Sequence, residues 1–434
     1  MDTTPTARHD PFASLRQGNF QLYSAGRLCS GMAATLLSAA VFWQVYDITG
    51  STLQLGIVGL VRFAPSFFLS LPAGAVADAM DRRRLVVAAQ LLQLAAVVVL
   101  ATATIAGSAN LAVIYGAVFV VAAAGTFEWP ARSALLPMLV TKETFGNAIV
   151  VSGTFQQLAF VTGPALGGLL IWLSGVGLAY AVLAGLVGLS IVLLLFLRPR
   201  NEEATKRAVG WDGILEGINF VRHRQVILGA MTLDMFAVIF GGATALLPIY
   251  AREILDVGSL GYGFLLGAID GGALVMSVVL IFVRPAIRPG RVLMFAVLAF
   301  GLSTVLFGLS RSFPLSIAAC ALIGMSDQVS VVMRQTTIQL ATPDALRGRV
   351  TSVNMLFIGA SNQLGAVESG FVAALTSATF AVVSGGMGCL AVLGVVGVTM
   401  PELRRYRLGE NQESGSSGSG TSTIEEATSA AAGS

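Results

Sequence analysis

Charge is scarce in this chain. Of its 434 residues only 11% are Asp, Glu, Lys or Arg, while 55% are hydrophobic. Soluble domains carry about 25% charged residues, and one of this length could not hide so much apolar surface. Histidine is nearly missing. His9 and His223 both lie outside the apolar runs, which excludes a histidine relay through a membrane and leaves any proton to carboxylates. The three cysteines, Cys29, Cys320 and Cys389, all fall inside apolar runs. They read as small packing residues, with neither a disulfide framework nor metal-ligand spacing, so no metal and no cofactor is expected. The runs hold no nucleophile–base–acid set and no phosphate loop, which argues against an enzyme. No cleavable signal peptide is expected either. The first eighteen residues are polar and include Arg8, His9 and Arg16, so the first apolar run would itself target the membrane.

Apolar runs and glycine are what the chain has in excess. Six runs fall between residues 20 and 197 and six more between 225 and 400, with a polar gap at 198–224. A helix needs roughly 20 apolar residues to cross the hydrocarbon, and unpaired backbone is not tolerated there, so runs this long predict helices. The 49 glycines suit helices whose backbones approach closely. The expected fold class is an all-α polytopic membrane protein with 12 transmembrane helices in two six-helix halves, 19–197 and 225–400. A cytoplasmic tail (1–18), a linker (198–224) and a disordered cytoplasmic tail (401–434), rich in Ser, Gly, Thr and Glu, complete the division. Trp211, Ile214, Leu215, Ile218 and Val221 recur at helical spacing in the linker and predict an interfacial helix.

Orientation follows from the basic residues. With the N-terminus inside, only Arg252 and Arg311 of the 26 Lys and Arg fall in outside loops, so both termini are expected in the cytoplasm. The net charge of +3 is thereby spread by topology. It does not form a nucleic-acid patch.

Two local patterns stand out. Between the second and third runs lies Gly74-Ala75-Val76-Ala77-Asp78-Ala79-Met80-Asp81-Arg82-Arg83-Arg84: a glycine, an aspartate four residues on, then a basic cluster. Gly74 permits a close helix crossing, and Asp78 can pair with the basic cluster or with a helix N-terminus. In the fifth run, Gly163-Pro164-Ala165-Leu166-Gly167-Gly168 combines a freed backbone carbonyl with small packing residues. The first pattern resembles the loop signature of the major facilitator superfamily. The second is similar to the helix-5 motif of its antiporters, with Ala159 where a glycine is usual. Longer segments, among them Phe127–Arg132, Leu233–Ala237, Asp327–Ser330, Gln339–Arg349 and Ser361–Gly370, resemble the bacterial drug:proton antiporter branch that includes enterobactin and macrolide exporters. The resemblance implies the major facilitator fold, a conformational latch at Gly74, Asp78, Arg82 and Arg83, and a bacterial inner-membrane location. Two positions depart from the branch pattern, Gly267 for an Arg and Ala366 for a Glu, and suggest an ion pair lost together.

Ionisable residues inside spans are costly and mark cavities or partners. Arg27, Glu128, Asp234 and Asp327 fall at similar depth on the first, fourth, seventh and tenth runs, the helices that line the cavity in the resembled fold. They are the primary proton-coupling and cavity candidates, with Arg62, Asp270, Arg334 and Glu368 secondary. Arg334 lies seven residues from Asp327 on the same helix face and could serve as its partner. Burial raises a carboxylate's pKa by up to about 3–5 units and a nearby arginine lowers it. Glu128 or Asp234, alternately paired with and released from Arg27, would make a proton switch. The leading expectation is proton-coupled efflux of a small amphipathic drug- or siderophore-like molecule by a monomer in the lipid bilayer. Proton-independent lipid or metabolite transport is the first alternative. A non-transporting sensor or assembly partner is the second.

Overall fold

Each apolar run closes its own backbone hydrogen bonds, and among the described residues every run is helical and no strand occurs. The computed structural model describes residues 13–406 apart from 142, 199–210, 284–286 and 344–345. The first half comprises α1 (Gly18–Thr49), α2 (Thr52–Ala79), α3 (Arg82–Ile105), α4 (Leu111–Leu135), α5 (Phe145–Ser174) and α6 (Val176–Leu195). After a linker helix (Trp211–His223) come α7 (from Gln225), α8 (Gly258–Phe282), α9 (Pro289–Leu309), α10 (Phe313–Ala341), α11 (Arg347–Leu375) and α12 (Ala378–Thr399). Eleven of these twelve are long and apolar enough to cross a membrane. The other, α11, is long enough at 29 residues but more polar, carrying Asn354, Ser361, Asn362, Gln363 and Glu368.

The turns obey local chemistry. Asp81, Asn110 and Ser377 accept backbone N–H bonds at the starts of α3, α4 and α12. Gly50 ends α1 in the left-handed region at φ +58. The seventh run, expected to be one helix, is interrupted. Its α-helix runs Gln225–Phe240, and short turns carry it on to Ile254, the last of them a π-helical turn at Tyr250–Ile254. At the break, a Cβ on Gly242 would stand 2.8 Å from the Gly365 backbone, so the interruption lets α11 press against α7.

Packing repeats between the halves. In the first half α1 lies against α5 and α6, while α3 and α4 pair with each other and with α6 and α2. In the second half α7 lies against α11 and α12, while α9 and α10 pair with each other and with α12 and α8. This is the same arrangement shifted by six helices, a parallel repeat. Two seams join the halves, α2 with α11 and α5 with α8.

The inner ends of both expected tails pack on the bundle, and the helical turn after α12 falls inside the stretch expected to be disordered. Residues 1–12 and 407–434 lie outside the described residues, but Ser14 is buried and donates a 2.6 Å hydrogen bond to Asn147 Oδ1 on α5. At the other end Pro401–Arg405 forms a helical turn with Leu403 buried against Gly229. An apolar contact in one case and a satisfied hydroxyl in the other hold these residues to the bundle. The linker helix docks on the second half through buried Val221, which clusters with Ile227, Met231, Ile338 and Val350, and through an ion pair between Glu216 and Arg349. The side chains of Trp211, Ile214 and Leu215 lie outside the description.

Candidate functional site

The seams set the geometry of the site. Call the end where α1 starts and α12 finishes the near end. At the far end α1 meets the second half: Tyr46 donates to Glu253, Arg252 pairs with Asp47, and Tyr262 donates to the Ala39 carbonyl at 3.2 Å. Along α8 the seam with α5 opens step by step. A Cβ on Gly263 would stand 2.8 Å from Gly168 Cα, one on Gly267 3.6 Å from Ala165 Cβ, and one on Gly271 would meet nothing within 4 Å. The halves thus close at the far end and diverge toward the near end, where Trp129 on α4 is 57% exposed.

The helix-5 motif divides its glycines between two neighbours. Gly163 and Gly167 face Thr35, Leu36 and Ala39 on α1, while Gly168 faces Gly263 across the halves. Gly267 and Ala366 sit in different seams, the first against Ala165 on α5 and the second against Gly59 on α2. This corrects the idea of an ion pair lost between them: each is a small residue that lets its own pair of helices approach.

In the first half the structure gives Glu128 a full set of partners. Arg132, one turn on, donates from Nε at 2.9 Å and Nη2 at 2.6 Å to Oε1. Gln90 and Gln93 of α3 each add a 2.9 Å bond, to Oε1 and Oε2. Arg27 is not the counter-charge. Its Nη1 donates to Tyr23 at 3.3 Å, its guanidinium lies 5.9 Å from the Trp129 ring centroid, and its Nε is buried without a hydrogen-bond partner. The expected Arg27–Glu128 and Arg27–Asp234 pairs are therefore corrected, because Arg132 lies on the same helix face at i+4 and reaches Glu128 first. Arg62 donates to Ser38 at 2.8 Å.

In the second half Arg334 pairs with Asp234 at 2.8 Å, with both side chains buried, and also donates to Asn354 at 3.3 Å. Ser330 donates to the other Asp234 oxygen at 3.3 Å. Arg334 is thus bound to Asp234, correcting its expected pairing with Asp327. Asp327 and Asp234 share the wall of a cavity of about 10 Å³, roughly the space one water needs. Asp270 lies close enough to Asp327 for their charges to interact, since α8 and α10 are pressed together where Ile269 and Gly324 meet. Glu368 on α11 accepts a 3.3 Å bond from Ser369, within its own helix. Asp234 is therefore paired with Arg334, Asp327 stands beside that pair, and Asp270 stands beside Asp327.

Of the residues expected to form a latch, Arg83 donates to the Leu194 carbonyl at 2.9 Å and to Leu195, and Arg82 lies against Met138 Sδ at 3.3 Å. A Cβ on Gly74 would meet nothing within 4 Å, as suits a seam open at the near end, and the Asp78 side chain lies outside the description. Sequence reasoning missed Gln90, Gln93, Trp129, Ser330 and Asn354. The Glu128–Arg132 spacing was the readable signal, whereas partners on other helices leave none.

Two six-helix repeats, closed against each other at the far end and each holding a buried charge pair, define a major facilitator transporter. The chain belongs to the transmembrane secretion effector family, whose model matches residues 9–416. It is a multi-pass membrane transporter and not an enzyme. It is 30% identical over 418 residues to the multidrug efflux pump Tap of Mycolicibacterium fortuitum, covering 91% of this chain and 98% of that one. To the enterobactin exporter EntS of Escherichia coli O1:K1 / APEC it is 25% identical, covering 89% and 93%. Among solved structures it is similar to the nucleoside transporter NupG, with a TM-score of 0.69 at 12% identity over 90% of this chain and 99% of that one. A bacterial homolog of the lysosomal transporter Spinster, inward-facing and occupied, matches with a TM-score of 0.69 at 14% identity over 91% and 99%. At such identities these structures speak for the fold alone.

Proposed function

We propose that the protein exports a small amphipathic molecule, drug- or siderophore-like, from the cytoplasm in exchange for protons by alternating access. The observation that carries this reading is the second-half cluster. If Asp234, Asp327 and Asp270 were all ionised, Arg334 would leave a net charge of minus two inside the membrane. A proton taken up while the far end is open relieves one unit of that charge, and its release through the near-end opening restores it, so proton occupancy and seam geometry are coupled. Asp234 and Asp327 are assigned the proton, with Asp270 beside them. Glu128, held by Arg132 and two glutamines, and Arg27 over Trp129 line the opposite wall. Asp78 and its basic cluster act as the latch that closes the near end. The relatives' export of drugs and of enterobactin supports the direction and the cargo class. The basic-residue distribution supports an inner-membrane setting with both termini in the cytoplasm, which makes the near-end opening an inward-facing one.

The test is uphill transport into reconstituted vesicles with and without an imposed proton gradient, using a cationic dye, a macrolide and a catecholate siderophore as cargo. Gradient-driven accumulation should vanish in Asp234→Asn and Asp327→Asn while downhill flux persists. Accumulation surviving in both variants would overturn the assignment. Flux indifferent to the gradient in the wild type would favour proton-independent transport, and binding without flux would favour a sensor.

A further inference from the structure

A second cavity, of about 710 Å³, lies at the near end of the first half, outside the space between the halves. It is walled by α3, the end of α4 and the end of α6, and its polar lining is dominated by Arg82, Arg83, Arg84 and Arg198. The one carboxylate in that lining belongs to Asp81, and its Oδ1 already accepts the Arg84 backbone N–H at 2.8 Å. Arg83 is committed to the carbonyls that end α6. Arg82 has the thioether of Met138 as its described side-chain acceptor, and thioether sulfur is a weak one. Four like charges around one space repel one another, and the start of α3 adds the positive end of a helix dipole. Such a cavity favours an anion with several acceptor oxygens.

The rest of the wall says what kind of anion. Val87 and Leu91 follow the arginines along α3, and Leu195 faces them from α6. Leu91 is 51% and Leu195 54% exposed, so apolar side chains stand open beside the guanidinium groups. From Arg84 to Leu91 the helix rises about 10 Å, carrying the wall from headgroup level into the acyl region. A free phosphate has no use for that surface. We propose that this cavity binds an anionic phospholipid, with the phosphate held by Arg82, Arg84 and Arg198 and an acyl chain lying along Val87, Leu91 and Leu195. Basic pockets between helices take such headgroups elsewhere. Here the site shares Arg82 and Arg83 with the proposed latch, so the bound lipid would act on the near end without touching the cargo.

The experiment uses the full chain purified in detergent and measures thermal stabilisation by cardiolipin, by phosphatidylcholine and by inorganic phosphate. Cardiolipin should stabilise saturably and phosphatidylcholine should not. An arginine near an anionic headgroup contributes a factor of roughly five in affinity, so the exposed double variant Arg84→Gln/Arg198→Gln should bind cardiolipin about 25-fold more weakly. Leu91→Gln should weaken cardiolipin but leave any response to phosphate unchanged, which separates the lipid from a free anion. Equal stabilisation by phosphate and cardiolipin, or undiminished cardiolipin binding in the double variant, would overturn the proposal. The melting temperature of each variant in phosphatidylcholine alone serves as the folding control.

Discussion

The two halves carry the same pair of positions with opposite outcomes. Arg27 counted from Gly18 and Asp234 counted from Gln225 both stand nine residues into their helices, and Glu128 and Arg334 both stand seven before the ends of α4 and α10. Under the six-helix repeat, Arg27–Glu128 in one half corresponds to Asp234–Arg334 in the other, with the signs exchanged. The second-half pair is formed at 2.8 Å. The first-half pair is not, because Glu128 turns to Arg132, Gln90 and Gln93. The surplus differs too. Arg27 and Arg62 leave the first half cationic within the membrane, while Asp270, Asp327 and Glu368 leave the second anionic. The lesson is that symmetry of fold does not impose symmetry of charge state. One half holds its acid between an arginine and two glutamines, and the other keeps acids in excess of bases.

The largest expected effect breaks that comparison directly. Arg334→Met removes the sole guanidinium partner described for Asp234 and should destabilise the protein by about 3–5 kcal/mol, the range for stranding a buried charge. Arg132→Met should cost less, because Gln90 and Gln93 still hold Glu128. Thermal melts of the two variants in the same detergent decide it, and equal losses would mean that the two clasps are equivalent.

A second contrast lies in the loops. The α2–α3 junction carries Gly74 and Asp78 at the end of α2 and Arg82–Arg84 at the start of α3, whereas the repeat-related α8–α9 connection has arginines but no aspartate. Asp78→Asn should lower turnover by about tenfold or more, a shift of about 1.4 kcal/mol in the state balance, while cargo binding stays within a few-fold. Arg288→Gln on the other side should change turnover far less. Flux and binding measured on the same vesicles compare the two.

The smallest effect concerns the far-end closure. Tyr46→Phe removes one hydrogen bond to Glu253, worth about 0.5–1.5 kcal/mol, and should shift the balance roughly two- to tenfold toward far-end opening. Spin labels at Ser108 and Ser312, on far-end loops of opposite halves, should report a larger long-distance fraction.

Much of this was legible in the sequence because lipid leaves backbone few choices. Run lengths gave the spans and the polar gap gave the halves. The charges on α1, α4, α7 and α10 announced themselves by their rarity. Pairing was not legible. Whether Glu128 meets Arg27 or Arg132 depends on side-chain reach across and along helices, and Gln90 carries no mark in the sequence that it will clasp an acid 38 positions away. The break at Gly241–Gly242 was hidden for a similar reason, since its cause is the approach of α11 from another part of the chain.

The seam glycines also divide the protein for anyone who wishes to make it sturdier. Gly370 meets Gly56, and Gly168 meets Gly263, backbone to backbone: an added Cβ falls 2.5 Å from the partner Cα on Gly370 and on Gly168, and 2.8 Å on Gly263. A methyl group on Gly370, Gly168 or Gly263 would force the two halves apart at the far end. Gly116, Gly153 and Gly185 are helical with nothing within 4 Å of the same added atom. Alanine at Gly116 and Gly185 should tighten the helices, at about 0.5–1 kcal/mol apiece, whereas Gly153 lies on the near-end stretch of the seam helix α5 and is best left alone.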